Sequence, residues 1–158
     1  MTAVVTVFTS PRALIRTAPP SGMAADALRG ATLNEKPLHL EPSRNLQNAM
    51  TGIGCNNYVT PERVGAIIAG LMARGGNFIR NCSCALMLAY VAAGRLVGQY
   101  EPHMRAWDRM GGFCLVRETG GETLHFRGSG AEYLNGYPVL APNASCYDDL
   151  LQLHMSNL

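Results

Sequence analysis

Leu88-Ala-Tyr-Val-Ala-Ala-Gly-Arg-Leu-Val-Gly-Gln-Tyr-Glu101, followed by Trp107-Asp108 and then by Leu115-Val-Arg-Glu-Thr-Gly-Gly121, decides the reading of this chain. Leu86, Ala89 and Ala93 share one helical face behind Ser83, a residue suited to capping, and Gly94 ends that helix. Leu96 to Glu101 then reads as a strand and Pro102 to Arg105 as a loop. Trp107 to Thr119 reads as a further helix that stops at Gly120-Gly121. Helix, strand and helix in succession are the sign of an α/β layer.

The same alternation continues on both sides. Upstream, Ala49 to Gly54 reads as a strand. Thr60-Pro61-Glu62 then supplies an N-cap, a proline at the first helical position and an acid in the first turn. Val64, Ile67, Ile68 and Leu71 come next at helical spacing, so a helix is expected to about Arg74, with Gly75-Gly76 stopping it and Phe78-Ile79 forming a short strand. Downstream, Thr123 to Phe126 and Val139 to Ala141 read as strands and Ala144 to Met155 as a closing helix. The first forty residues differ. Val4 to Thr9, Ala31 to Asn34 and Lys36 to Leu40 read as short strands and turns, without a long amphipathic helix of their own to cover them.

Composition narrows the functional classes. A hydrophobic content of 47% with 15% charged residues describes an ordinary globular protein and argues against disorder. The net charge of +2 is too small and too scattered to imply a nucleic-acid footprint, so no nucleic-acid partner is expected. The longest apolar stretches, such as Ala85 to Ala93, fall far short of the roughly 20 residues that a membrane span needs. Five cysteines, an odd count, and no charged start leading into an apolar signal core favour a reduced, cytoplasmic setting. Cys82-x-Cys84 has no second cysteine or histidine pair at zinc-site spacing, and the four histidines have no nucleophile beside them in a recognisable motif.

The quoted stretch resembles the signature of the inositol monophosphatase family: a capped helix, a strand ending in an acid, Trp-Asp with its Asp seven residues past that acid, and a helix closing on Gly-Gly. Gly30-Ala-Thr-Leu-Asn34 with Pro37-Leu38 is similar to that family's Gly-Ala-x-Leu-Asn hairpin, so the resemblance spans nearly the whole chain. It implies an α/β fold in which residues 48–158 form a mixed sheet flanked by helices, the family's carboxy-terminal domain. Residues 1–47 would be a strand remnant of its preceding α+β domain.

The resemblance also implies site residues. Asp108 would be a ligand to a catalytic Mg2+. Glu101 would accept hydrogen bonds from substrate hydroxyls, and Ser83, Cys84 and Ala85 would form the substrate loop at a helix start, where free N–H groups meet oxygens. Each residue also has a simpler reading. Asp108 can favour a helix dipole, Glu101 can be a solvated strand-end acid, and Ser83 can be a plain cap. Arg80 matches the family's arginine upstream of this loop.

This sequence departs from the family pattern at three positions. Cys82 stands where the family usually has Gly, Cys84 where it usually has Ala, and Met87 where bacterial members often have Asp. If the backbone at residue 82 requires a positive φ, its β-carbon strains the substrate loop. The family's Asp-Pro-x-Asp-Gly-Thr motif has no counterpart either. The aspartates are Asp26, Asp108, Asp148 and Asp149, and none is followed by Pro or Gly.

The expected function is therefore that of a magnesium-dependent phosphomonoesterase half, acting on a phosphate monoester of inositol or a sugar, truncated at its start and weakly active or inactive alone. A homo-oligomer is expected from an exposed sheet edge. The alternative is a non-catalytic binding module that retains the scaffold.

Overall fold

The structure, a computed structural model, describes residues 2–5, 23–26, 30–34, 36–125 and 135–158. Two sheets organise them. In the first, β1 (Thr2–Val5), β2 (Met23–Asp26), β3 (Gly30–Leu33) and β4 (Lys36–Pro37) pair antiparallel in chain order. Leu33 faces Lys36 across the last turn, and Asn34 takes the left-handed conformation there, with φ at 51°. Asn is among the few non-glycine residues that enter this region readily.

The second sheet runs β6-β5-β7-β8, from β5 (Met50–Ile53), β6 (Asn77–Ile79), β7 (Gly98–Met104) and β8 (Tyr137–Pro142). β5 is parallel to both β6 and β7, while β8 returns antiparallel to β7. The chain leaves β5 through α1 (Pro61–Ala73) to β6 on one side, then crosses through α2 (Cys84–Ala92) to β7 on the other. That reversal opens a crevice at the carboxyl ends of the parallel strands. α3 (Ala106–Glu118) comes after β7, and α4 (Tyr147–Met155) closes the chain after a 3-10 turn over Ala144–Cys146.

Local chemistry accounts for the helix ends. Thr60 caps α1 by accepting from the Arg63 N–H at 3.3 Å, and Pro61 occupies a position whose own N–H would have been unsatisfied. Gly75, Gly94 and Gly120 lie just past α1, α2 and α3 with φ of 78°, 67° and 92°. That conformation closes a helix without a β-carbon penalty.

Packing divides the core in two. Ile67 and Leu71 of α1 meet Leu150 and Leu153 of α4 over Ile53, Tyr100 and Leu140 on one face of the second sheet. On the opposite face, Leu88 and Val91 of α2 meet Phe113, Leu115 and Val116 of α3 over Val139 and Ala141. Burying one such leucine contributes about 2 kcal/mol. Ala31 of the first sheet shares this second core, and α3 lies against β1, β2 and β3. The Gly30 N–H donates to a Glu118 carboxylate oxygen at 3.2 Å, and the Leu40 N–H to the Thr119 carbonyl at 2.9 Å. The helix that covers the first sheet is thus supplied by a segment some eighty positions further on. No described helix is long and apolar enough to cross a membrane.

Several boundaries differ from the sequence reading, and pairing or coverage accounts for three of them. Pro102 to Arg105 was expected as a loop, yet β7 continues to Met104, because β8 pairs on past a bulge and sets Met104 opposite Tyr137. Pro102, lacking an N–H, fits the bulge between Glu101 and Met104, where a ladder bond is interrupted. The strand expected over Thr123 to Phe126 is reduced to a bridge between Gly121 and Asn143, with the Glu122 and Leu124 N–H groups donating to β8 carbonyls; Phe126 lies outside the described residues. In the first sheet, β1 occupies Thr2–Val5 rather than Val4 to Thr9, whose last four residues lie outside the described set.

Candidate functional site

The crevice at the strand ends contains a cavity of about 150 Å3. Its wall is built from Ile53 at the end of β5 with the adjoining residues Gly54 to Asn56, from Arg80 to Cys84 entering α2, and from Gln99, Glu101 and Met104 on β7. Ser83 caps α2, its hydroxyl accepting from the Leu86 N–H at 3.4 Å, so the N–H groups at the start of that helix are left to face solvent or a ligand. Ser83 and Cys84 line the cavity, whereas Ala85, one residue further along the helix, does not.

Glu101 reaches the wall because Ile53 pairs with Tyr100, which carries the next residue of β7 beyond the end of β5. Its carboxyl lies against Gly54, where a β-carbon would collide with it. Glu101 is 4% exposed, and burial pushes its carboxyl up to about 7. The Cys84 thiol donates a hydrogen bond to it and, with the Arg80 charge, draws the value down, while the Asp108 charge raises it further. Near neutral pH this carboxyl therefore exists in both forms and can donate as well as accept. Burial likewise pushes the Cys84 thiol up, with the Glu101 and Asp108 charges adding to the effect, so it stays protonated and is no nucleophile.

Asp108 stands in the first turn of α3, exposed and outside the cavity wall, but near enough for its charge to act on Glu101 and Cys84. Arg109, next in the helix, turns inward. It is fully buried, lies over the Tyr137 ring at 5.2 Å, and donates to the Pro138 carbonyl at 3.3 Å. The start of α3 is also tied to the loop after β5. Asn56 donates to the His103 carbonyl at 2.6 Å, Tyr58 stacks on the His103 ring at 4.4 Å, and Arg105 donates to the Tyr58 hydroxyl at 3.2 Å.

Cys82 has a φ of 46°, the left-handed region in which a β-carbon is strained. Cys82→Gly is expected to stabilise the chain by about 1 kcal/mol by removing that β-carbon. Thermal melting of the two proteins checks this, and an unchanged or lower melting temperature would count against strain at this residue.

Sequence reading singled out Ser83, Cys84, Ala85, Glu101 and Asp108 but missed Cys55, Asn56, Gln99 and Met104. Only Gln99 left a visible trace, as an amide inside an otherwise apolar strand run.

The fit of a magnesium ion can be judged from the side chains. Among the described residues, no three His, Cys, Asp or Glu side chains gather as a metal-ligand group. Magnesium demands near-octahedral oxygen ligands, and the acidic oxygens beside this cavity come from Asp108 and from Glu101, whose burial favours the neutral acid. The described residues do not fit a resident magnesium ion by themselves.

Comparison with known proteins agrees with this architecture. The chain is 32% identical over 133 residues to the Nus factor SuhB of Pseudomonas aeruginosa, covering 78% of this chain and 46% of that protein. It is 37% identical over 119 residues to the Nus factor SuhB of Escherichia coli, covering 73% and 43%. The structure is similar to that of inositol monophosphatase from Anabaena (Nostoc) sp. PCC 7120, with a TM-score of 0.71 and 27% identity over 85% of this chain and 55% of that one. The chain spans about half the length of the curated relatives it matches. With residues 17–156 matched by the model of the inositol monophosphatase family, the chain belongs to that family.

Proposed function

We propose that this chain forms the polyol-binding half of a phosphomonoesterase site. It holds a phosphate monoester of inositol or a sugar in the cavity, and hydrolysis requires carboxylates contributed by a second polypeptide segment. The observation that carries this reading is the convergence of Glu101 and the capped start of α2 on one cavity at the reversal of strand order. The family acts on phosphate monoesters and is metal-dependent. In this reading Glu101 hydrogen-bonds a substrate hydroxyl, the N–H group of Cys84 meets a substrate oxygen, and Asp108 would supply one carboxylate to a Mg2+ ion held mainly by the second segment. The strands β1 to β4 belong to the adjoining domain, with its boundary at about residue 47. The setting is cytoplasmic, and the assembly is a homo-oligomer formed through the free sheet edges.

The experiment is phosphate release from inositol monophosphate at saturating magnesium. It uses the chain alone and the chain mixed with the amino-terminal half of a related full-length enzyme. The lone chain is expected to stay at background, the mixture to turn over, and Asp108→Asn to abolish that turnover. Robust hydrolysis by the lone chain that survives Asp108→Asn would overturn the proposal.

The lack of a three-ligand group among the described residues favours a second reading, a binding module without catalysis. Calorimetry separates the two, since a module binds the monoester with no turnover even when the complementing half is present.

A further inference from the structure

We infer that Gln99 is a ligand-recognition residue that reads a hydroxyl of a polyol at the inner wall of the cavity, beside Glu101. The inference rests on the reading of this cavity as a polyol phosphate site.

Gln99 is fully buried and forms part of the cavity wall, yet among the described residues neither its Oε1 nor its Nε2 has a hydrogen-bond partner. A buried amide is a poor choice for a strand that packs under a helix, because an unpaired donor and acceptor lose their water without replacement. The surroundings are nevertheless shaped around it. Gly52 is its cross-strand partner, and a β-carbon there would collide with the Gln99 amide and with the Met87 methyl. The residue opposite therefore leaves the space that the amide occupies.

Gln99 and Glu101 are two positions apart on β7 and project from the same face, about 7 Å apart along the strand. Both residues belong to the wall of a cavity that also includes Met87, Ile53 and Met104. The Gln99 amide has no surface open to water in the free protein, so a hydroxyl reaches it when the flexible Met87 side chain, which meets the same space over Gly52, turns aside. The chemistry of the amide selects the ligand group. Its Oε1 needs a donor and its Nε2 needs an acceptor. A hydroxyl is both at once, whereas the dianionic phosphoryl group of a monoester offers acceptors alone and would leave Oε1 unpaired. Gln99 therefore suits the polyol end of a phosphate monoester, not its phosphate.

A residue kept for binding and left unpaired in the free protein leaves a double signature when it is replaced: stability rises and affinity falls. Gln99→Met keeps the unbranched length and removes the amide. Thr51→Val is the matched control, because Thr51 is also fully buried, has no hydroxyl partner among the described residues, and lies outside the cavity wall. The full chain is titrated with myo-inositol 1-phosphate, free myo-inositol and inorganic phosphate, with binding followed by NMR shift changes and stability by thermal melting.

Both variants are expected to melt a few degrees higher than the parent. Gln99→Met alone is expected to weaken both inositol compounds by about tenfold, the equivalent of one lost hydrogen bond, with phosphate affinity unchanged. Equal affinity of the parent and Gln99→Met for the inositol compounds would overturn the role of Gln99 and leave the cavity reading intact. Equal weakening of all three ligands, or a lower melting temperature for Gln99→Met, would also overturn it. Failure of the parent to bind either inositol compound would overturn both the inference and the reading on which it rests.

Discussion

Glu101→Gln is expected to stabilise the metal-free chain by about 3 kcal/mol at pH 8 and to leave it unchanged at pH 4. Burial raises the Glu101 carboxyl from an ordinary 4.5 to about 7. Between those values the folded chain binds a proton that the unfolded chain has released, so parent stability falls as pH rises through this window and levels off above it. Gln keeps the shape and the neutral hydrogen-bonding capacity but has no charge to bury, so the variant lacks that decline. Urea unfolding of both proteins at pH 4, 6 and 8 checks this, and parallel pH profiles would show that Glu101 is not held toward its neutral form. The same variant retains a donor and an acceptor for a ligand hydroxyl, so its polyol affinity should survive while its pH dependence is lost.

The second large effect concerns the crossing of α2 and α3, the contact that sets the helix capped by Ser83 against the helix bearing Asp108. Gly112 of α3 faces Leu88 of α2 so closely that a β-carbon would stand 2.5 Å from the Leu88 Cβ. Gly112→Ala is therefore expected to destabilise by about 2 kcal/mol despite the better helix propensity of alanine, because the backbones must move apart. Gly65 in α1 has nothing within 4 Å of the equivalent point. Gly65→Ala should stabilise by up to about 1 kcal/mol, so one chemical change gives opposite signs in two helices. Denaturant midpoints of the two variants measure the gap, and equal shifts would mean that the helix contact is looser than described. Gly112→Ala should also impair whatever binding the cavity supports, since it displaces Cys84 relative to Asp108.

Local signals fixed the elements whose causes lie within a few residues. Thr60-Pro61-Glu62 with Ile67 and Leu71 was enough to place α1, and Ser83 with Gly94 bounded α2, because caps and helical periodicity act within one or two turns. The family signature from Leu88 to Gly121 was readable for the same reason: its helix, strand end and Trp-Asp pair are spaced along one continuous segment. Tertiary structure decided the rest. The extension of β7 through Pro102 depends on Tyr137 pairing with Met104, and the first sheet is covered by α3, both across separations that no local pattern encodes. The raised pKa of Glu101 and the unpaired amide of Gln99 arise from what Gly52, Gly54, Cys84 and Met87 leave around them. Burial and partnering are properties of the assembled neighbourhood. A side chain's charge state and free hydrogen-bonding capacity are therefore set by residues that meet it only after strands β5 and β7 have come into register.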